Sequence, residues 1–161
     1  MRVIAGKYRG KKLKEFSLNS TKPTLDRVKE SLFSSIQFDL IDAMVLDLFA
    51  GTGSLGIECL SRGAKNCVFV DKSKDSIGIV KSNVKKARVD NESTILNIDF
   101  KDAVKRLSVQ NQKFDVIFID AAKAKNIKFF EKYRVNLKEN GIIIIDNIDL
   151  KDFKKNVSPK K

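Results

Sequence analysis

The stretch "AMVLDLFAGTGSLG" (43–56) decides the fold, because it joins a short apolar run to a loop rich in glycine. The apolar run predicts a buried β-strand, and the residues after it predict a turn followed by a helix. Gly51 and Gly53 allow the backbone to turn sharply and to approach a ligand closely, and Gly56 allows the helix to pack near the strand. The N-terminus of that helix offers free N–H groups. The stretch therefore predicts a ligand site at the carboxyl end of the strand.

Similar apolar runs recur along the chain and alternate with helical stretches. The predicted strands lie at 44–49, 67–71, 94–98, 115–120 and 141–146. The predicted helices between them lie near 54–62, 73–88, 101–108 and 126–138. This alternation predicts an α/β fold, namely a Rossmann-like, doubly wound and mostly parallel sheet with helices on both faces.

Little sequence remains after the fifth predicted strand. Only "DLKDFKKNVSPKK" (149–161) follows it, so we expect the sheet to be truncated there. The run "IIII" (142–145) would then lie at or near an exposed sheet edge, which favours association. We expect either the tail or a second subunit, in a homodimer, to cover that edge.

The first forty residues predict a basic extension of strand and helix, and residues 41–161 predict the ligand-binding domain, the two together forming one compact domain. The first sixteen residues predict a short strand or hairpin with turns at Gly6 and Gly10. The stretch "TLDRVKESLFSSI" (24–36) predicts a helix whose apolar face carries Val28, Leu32, Phe33 and Ile36.

The charge of the chain indicates an anionic partner. The formal net charge is +12, from 32 Lys and Arg against 20 Asp and Glu. Residues 1–40 contain nine basic and only four acidic residues, so the excess is concentrated there and at the extreme C-terminus. A positive field of this kind attracts polyanions, of which nucleic acid is the commonest, although a lysine-rich composition alone is the other interpretation. The candidate nucleic-acid contacts are Arg2, Lys7, Arg9, Lys11, Lys12, Lys22 and Arg27.

The composition also excludes several kinds of site. The chain has no histidine, which excludes imidazole as a base or metal ligand and excludes a Ser-His-Asp site. Cys59 and Cys67 lack a CxxC spacing, so they predict small buried apolar residues and no zinc site. No apolar run is long enough to span a bilayer, and the N-terminus lacks the apolar block of a secretory signal, so we expect a cytoplasmic protein.

Acidic residues at the ends of three predicted strands indicate which ligand the site takes. Asp71 ends the second strand, where such folds bind a ribose diol, and Asp99 follows the third, where it can accept from an adenine amino group. Asp47 comes before the glycines, where a carboxylate repels a pyrophosphate but attracts the ammonium and sulfonium of S-adenosylmethionine (SAM). The alternative interpretation is an ordinary turn with surface acids.

These residues carry a resemblance to a known family. The stretches "DLFAGTGSLGIECLSRGA" (47–64) and "VFVDKS" (68–73) resemble the cofactor site of class I SAM-dependent methyltransferases. With "MRVIAGKYRGKKL" (1–13) and "KPTLDRVKESLF" (22–33), the chain resembles the RsmD-type family, which methylates guanine N2 in small-subunit ribosomal RNA. The resemblance implies that the basic N-terminal segment contacts RNA. It implies a SAM site formed by Asp47, Phe49, Gly51, Thr52, Gly53, Asp71, Lys72, Asp99 and Phe100.

The sequence departs from that family after the fourth strand. The family has an acid, two prolines and an aromatic there, whereas this chain has "DAAK" (120–123). Asp120 matches the acid that would hold the target nitrogen.

The stretch "FDVIFIDAAKAKNIKFFEKYRVNLKENGIIIIDNI" (114–148) instead resembles the cation-dependent O-methyltransferases, including the bacterial enzymes that modify a wobble hydroxyuridine in tRNA. That resemblance implies Mg²⁺ held by Asp120, Asp146 and Asn147, with Lys123 as the base. The alternative is that Asp146 and Asn147 merely end a strand in a polar turn.

The sequence therefore predicts a SAM-dependent methyltransferase, with an RNA guanine N2 as the expected target. A metal-dependent O-methyltransferase acting on tRNA or on a small hydroxylated substrate is the second interpretation. A protein that binds SAM or RNA without catalysis is the third.

Overall fold

A six-stranded sheet forms the centre of the part of the chain that the structure describes. The computed structural model describes residues 1–16, 23–120, 123–124, 128, 131, 136–146 and 155–159. The strands are β1 (Met44–Asp47), β2 (Asn66–Val70), β3 (Ser93–Leu96), β4 (Phe114–Asp120), β5 (Leu137–Asp146) and β6 (Lys155–Pro159). The helices are α1 (Pro23–Ile36), α2 (Ser54–Ser61), α3 (Lys74–Ala87) and α4 (Phe100–Val109), with 3₁₀ turns at Gln37–Leu40 and Asp90–Glu92. Among the described residues, none of the helices is long and apolar enough to cross a bilayer.

The strand order confirms the predicted doubly wound sheet. The order is β3-β2-β1-β4-β5-β6, and β1 to β5 run parallel. Strand β1 pairs with β2 on one side and with β4 on the other, so the chain reverses its direction of progress across the sheet at β1. In sheets of this type the crevice at that reversal, beyond the carboxyl ends of the strands, is where ligands bind.

The sheet continues beyond β5, where the sequence predicted that it would stop. Strand β6 pairs antiparallel with β5, from Asp146 beside Lys155 to Ile142 beside Pro159. The chain's own tail therefore covers the edge that was expected to be exposed, and the homodimer expected through that edge loses its basis. The sequence "KNVSP" of β6 contains one apolar residue, Val157, so no apolar pattern marked it as a strand.

The last predicted helix differs from the structure at its end. The prediction covered 126–138, most of which lies outside the described residues. Leu137 and Lys138, however, already belong to β5. Leu137 is the neighbour of Phe114 in the sheet, so tertiary pairing decides its conformation.

The sheet is buried on both faces. One apolar cluster joins α1 and α2 to the sheet and includes Phe33, Ile57 and Phe69. The other joins α4 to the opposite face and includes Leu107 and Ile117. Burial on both faces explains why the strands appear in the sequence as near-continuous apolar runs. The predicted apolar face of α1 is confirmed, because Leu32, Phe33 and Ile36 are buried and Val28 is half-buried.

The two cysteines are core residues. Cys59 on α2 and Cys67 on β2 are free and fully buried. Burial raises the pKa of each thiol. Both therefore act as small apolar side chains, as predicted.

The first thirteen residues form a hairpin, here called the basic hairpin (residues 1–13). Arg2 and Lys12 pair across it in an antiparallel bridge. Gly6 adopts the left-handed conformation at the turn, with φ of +86°. Val3 and Leu13 are buried in the same apolar cluster as α1. The hairpin therefore packs on the sheet domain through its apolar residues and leaves its basic ones outside.

Candidate functional site

The loop between β1 and α2, residues 48–53, is here called the glycine loop. Gly51 and Gly53 have φ of +58° and +83°, a region that other residues rarely adopt. The loop is tied to its neighbours, because the amide of Ala50 donates to the carbonyl of Val70 at 2.8 Å. The sharp turn predicted for these glycines is confirmed.

The start of α2 lies against β2, as predicted for Gly56. A Cβ atom at that position would collide with the ring of Phe69 and would lie 2.7 Å from Sγ of Cys67. Glycine therefore allows the close approach of helix and strand directly after the glycine loop.

Asp71, directly after β2, organises this end of the sheet. Its Oδ2 accepts a hydrogen bond from the amide of Gly51 at 2.9 Å, and its Oδ1 accepts one from the amide of Ser73, also at 2.9 Å. The side-chain amide of Asn97 donates to the carbonyl of Asp71 at 3.0 Å. The carboxylate of Asp71 thus fixes the loops that follow β1 and β2. The backbone of Asp71 also binds Asn97, directly after β3.

A cavity of about 390 Å³ lies at the carboxyl ends of these strands. Its lining brings together six residues that the sequence had singled out: Phe49, Asp71, Lys72, Asp99, Phe100 and Lys123. Three further lining residues were missed: Leu48, Ser73 and Ser76. The two serines belong to the N-terminal cap of α3, since the amide of Ser76 donates to Oγ of Ser73 at 3.2 Å. A serine before a helical pattern was the sequence signal for this cap.

One wall of the cavity is aromatic. The rings of Phe49 and Phe100 lie 4.9 Å apart between centroids, tilted by 48°. Asp99 lies beside them and caps α4, because its Oδ1 accepts from the amide of Lys101 at 2.8 Å. A carboxylate next to two apolar rings suits a flat heterocycle that carries an amino group.

Asp47 lies outside the cavity lining but close to it. Its side chain is 2% exposed, and its Oδ2 accepts no hydrogen bond from any residue that the structure describes. The pKa of Asp47 is raised to about 7, chiefly by burial and also by the negative charge of Asp71. Hydrogen bonds from the backbone of Phe49 and Gly56 and the charge of Lys123 oppose this rise. A buried carboxylate with an unsatisfied oxygen favours a cationic ligand nearby.

The other predicted loop residues lie beside the cavity and do not line it. Gly51, Thr52 and Gly53 form the turn itself. The carbonyl of Thr52 accepts from the side-chain amide of Asn83 at 2.8 Å. These residues shape the loop that holds Leu48 and Phe49 against the cavity.

Asp120 ends β4 across the strand reversal from the glycine loop. Its side chain is buried, and its carbonyl accepts from the amides of Lys123 at 3.1 Å and Ala124 at 2.9 Å. This turn directs Lys123 to the cavity, whereas Asp120 itself is not part of the lining.

The residues predicted for a metal are described only in part. Asp146 is the neighbour of Asp120 in the sheet, so both acids lie at the carboxyl ends of adjacent strands. The side chain of Asp146 and the whole of Asn147 lie outside what the structure describes. Within the described residues, no group of three acidic or cysteine side chains is placed to hold a metal ion.

The basic residues of the N-terminal segment lie on the surface. The exposed ones are Arg2, Lys7, Arg9, Lys11, Lys12 and, on α1, Arg27. Lys22 lies outside the described residues. All of the exposed ones except Arg27 belong to the basic hairpin, in which Arg2 and Lys12 lie opposite each other.

A buried polar network that the sequence did not predict anchors the hairpin. Glu58 on α2 is fully buried, and its carboxylate accepts from the amides of Ile4 at 2.8 Å and Ala5 at 3.1 Å. The same carboxylate pairs with Lys29 at 3.4 Å and with Arg62 at 2.8 Å. An acid on a mostly apolar helix, "SLGIECLS", was the only signal in the sequence.

Taken together, the strand order, the glycine loop and the acids at successive strand ends define the fold of class I SAM-dependent methyltransferases. The profile of the family "Conserved hypothetical protein 95" matches residues 1–158. The chain therefore belongs to this family, and the RsmD-type resemblance is confirmed.

Individual relatives agree with this assignment. "Putative rRNA methyltransferase YlbH" of Bacillus subtilis is 38% identical over 91% of this chain and 82% of its own length. "Ribosomal RNA small subunit methyltransferase D" of Haemophilus influenzae is 39% identical over 74% of this chain and 62% of its own length. The solved structure of SMU.776 in complex with SAH (S-adenosylhomocysteine) matches with a TM-score of 0.65 at 22% identity, over 78% of this chain and 36% of that chain. This last likeness is one of fold.

Proposed function

We propose that the protein transfers a methyl group from SAM to guanine N2 of small-subunit ribosomal RNA. The observation that carries the proposal is the cavity at the strand ends, where Asp71 and Asp99 lie beside two phenylalanine rings. The family and the names of its relatives support the reaction and the RNA.

The described residues fit SAM. Asp71 is held by two backbone amides, so its remaining lone pairs are oriented to accept from a ribose diol. Phe49 and Phe100 would pack against the adenine, with Asp99 accepting from its amino group. Asp47 would supply negative charge near the methionine end. When bound, SAM supplies an electrophilic methyl group on a sulfonium.

The acceptor end of the site uses Asp120 and Lys123. The buried carboxylate of Asp120 would accept a hydrogen bond from the target amine and orient the nitrogen toward the methyl group. Little acid–base chemistry is needed, because the sulfonium leaves readily and positioning lowers most of the barrier. Lys123 lines the cavity beside the same turn, where its charge would contact the anionic substrate.

The basic hairpin would bind the RNA. Its exposed lysines and arginines would neutralise phosphates of the RNA. Each neutralised phosphate makes the affinity fall more steeply as the salt concentration rises. We expect the protein to act in the cytoplasm, where a ribosomal RNA substrate would meet it.

One observation favours a second candidate function, a metal-dependent O-methyltransferase. Asp120 and Asp146 are neighbours in the sheet register, at the ends of adjacent strands. With Asn147 they would offer the oxygen ligands that Mg²⁺ prefers, and Lys123 would take the proton of a hydroxyl on tRNA or on a small substrate. A protein that binds SAM and RNA without catalysis is the third candidate.

Transfer of tritiated methyl groups to total RNA and to 30S subunits, with and without EDTA, tests the proposal. We expect incorporation that EDTA does not reduce and that nucleoside digestion assigns to N2-methylguanosine. Loss of transfer in EDTA with a methylated hydroxyl as product would select the O-methyltransferase. SAM binding with no transfer to any RNA would select the third candidate.

A further inference from the structure

Asn83 connects two parts of the molecule that the proposed function uses separately. It lies on α3 and is fully buried. Its Oδ1 accepts from the amide of Lys14 at 2.6 Å, and its Nδ2 donates to the carbonyl of Lys14 at 3.0 Å. The same Nδ2 donates to the carbonyl of Thr52 at 2.8 Å. One side chain therefore joins Lys14, the residue directly after the basic hairpin, to the glycine loop.

The basic hairpin and the segment after it lie close to the glycine loop at two further points, Met1 and Phe16. The N-terminal ammonium of Met1 pairs with Glu15 at 2.7 Å, and the hydroxyl of Thr52 lies 3.9 Å from Sδ of Met1. The ring of Phe16, which is 55% exposed, would lie 3.8 Å from a Cβ atom placed on Gly51. Met1 and the ring of Phe16 therefore lie beside the glycine loop, and Asn83 binds both Lys14 and Thr52.

A second anchor of the hairpin does not involve the glycine loop. Oγ of Ser61 on α2 accepts from the amide of Tyr8 at 2.9 Å and donates to the carbonyl of Ala5 at 2.7 Å. The carboxylate of Glu58 holds the adjacent turn. This anchor attaches the hairpin to α2, whereas Asn83 connects Lys14 to the glycine loop. The two roles can therefore be tested with separate substitutions.

We propose that Asn83 is a positioning residue that couples the cofactor site to the RNA-binding hairpin. The proposal rests on the proposed function, since it needs SAM at the glycine loop and RNA on the hairpin. A ligand that orders the glycine loop fixes the carbonyl of Thr52, and this carbonyl binds the side-chain amide of Asn83. Because the same side chain binds the backbone of Lys14, the ligand also restricts Lys14. Coupling of this kind is reciprocal, so SAM strengthens RNA binding by the factor by which RNA strengthens SAM binding.

Fluorescence anisotropy with labelled 16S ribosomal RNA transcript, at saturating SAH and without it, measures the coupling. We expect the wild-type protein to bind the RNA about 5-fold or more tightly with SAH, at the lower end of usual coupling factors. In Asn83→Ala the ratio of the two dissociation constants falls to about 1 because the connection between the two elements is lost. Should that variant not fold, Asn83→Asp replaces it, because aspartate keeps the shape and the acceptor for the Lys14 amide but loses both donors.

Ser61→Ala is the matched control. It loosens the hairpin at its other anchor, so RNA binding weakens with and without SAH while their ratio stays at the wild-type value. Amide hydrogen exchange gives an independent readout in the wild-type protein, where exchange at Lys14 slows when SAH binds.

The outcomes separate this proposal from the one on which it rests. If calorimetry shows no SAH binding, both fail. If SAH and RNA both bind but the wild-type ratio is 1, or if Asn83→Ala keeps the wild-type ratio, the coupling proposal is overturned and the proposed function stands.

Discussion

Asp71 holds Gly51, because its Oδ2, directly after β2, accepts a hydrogen bond of 2.9 Å from the amide of the first glycine after β1. Because the same carboxylate also binds the amide of Ser73, it is oriented before any ligand arrives. A group fixed in advance loses little entropy on binding, which is how one acid can contribute strongly to affinity.

Asp71→Asn removes the charge while it keeps the size of the side chain. An asparagine cannot accept at both positions, so the glycine loop loses one anchor and the ribose loses its charged acceptor. A hydrogen bond to a charged group contributes about 1.5–3 kcal/mol, so we expect SAH affinity by calorimetry to fall by about 10- to 100-fold. Asp75→Asn, the same change at an exposed position in the first turn of α3, is the control and leaves affinity within about 2-fold. Equal losses in the two variants would argue against a specific role for Asp71.

The buried carboxylate of Asp47 predicts a pH dependence of stability. Its pKa in the folded protein is about 7, above the ordinary value of 3.8, so the folded state holds this proton more tightly than the unfolded state. The stabilisation is complete below about pH 4 and is lost as pH rises through 7. Asp47→Asn has no proton to lose, so we expect its urea midpoint, relative to wild type, to be higher at pH 8 than at pH 5. A constant difference between the two proteins would contradict the shifted pKa.

The same carboxylate predicts that SAM binds more tightly at higher pH. Between pH 6 and pH 8 Asp47 gains its negative charge, which attracts the ammonium and sulfonium of SAM. We expect the dissociation constant by calorimetry to decrease over this range, and Asp47→Asn to remove most of the trend. A trend of the same size in the variant would assign it to another group.

Glu58 is predicted to be essential for stability. Its fully buried carboxylate faces both Lys29 and Arg62, and Glu58→Gln leaves these two cations facing one another without the negative charge between them. Removal of one partner of a buried ion pair destabilises a protein by about 3–5 kcal/mol. We expect a loss of this size in the free energy of unfolding of Glu58→Gln, measured with urea. Glu30→Gln, an exposed position on α1, is the control, with a change of about 0.5 kcal/mol or less. A loss below about 1 kcal/mol in Glu58→Gln would show that water replaces the carboxylate at little cost.

Gly56 and Gly78 offer a matched pair of substitutions. A Cβ at Gly56 meets Phe69 and Cys67, so Gly56→Ala overpacks the core and destabilises by about 1–3 kcal/mol. A Cβ at Gly78, on the exposed side of α3, meets nothing within 4 Å, so Gly78→Ala stabilises by about 0.5–1 kcal/mol through helix propensity. Thermal melting that shifts in the same direction for both would contradict the packing of α2 on β2.

The fold was predictable because its signals are local. The five parallel strands are apolar runs, and their alternation with helices predicts a parallel sheet covered on both faces. Strand β6 was not predictable, since its sequence contains one apolar residue and its conformation depends on β5.

The site residues that directly follow strands could be predicted from the sequence. The residues whose partners are distant in sequence could not. Asp71 and Asp99 end successive strands, so chain order alone brings them together. Asn83 and Glu58 act through residues 69 and 54 positions away, and a single sequence carries no signal for such contacts. Ser61 was missed for the same reason, because its partners lie in the basic hairpin.

A crystal structure with SAH tests the central claim most directly, namely that the cavity at the strand ends binds the methyl donor. We expect the ribose hydroxyls on the carboxylate of Asp71, the adenine against the rings of Phe49 and Phe100 with its amino group at Asp99, and the methionine end near Asp47. Density for SAH elsewhere, or an empty cavity in crystals soaked at saturating SAH, would contradict it.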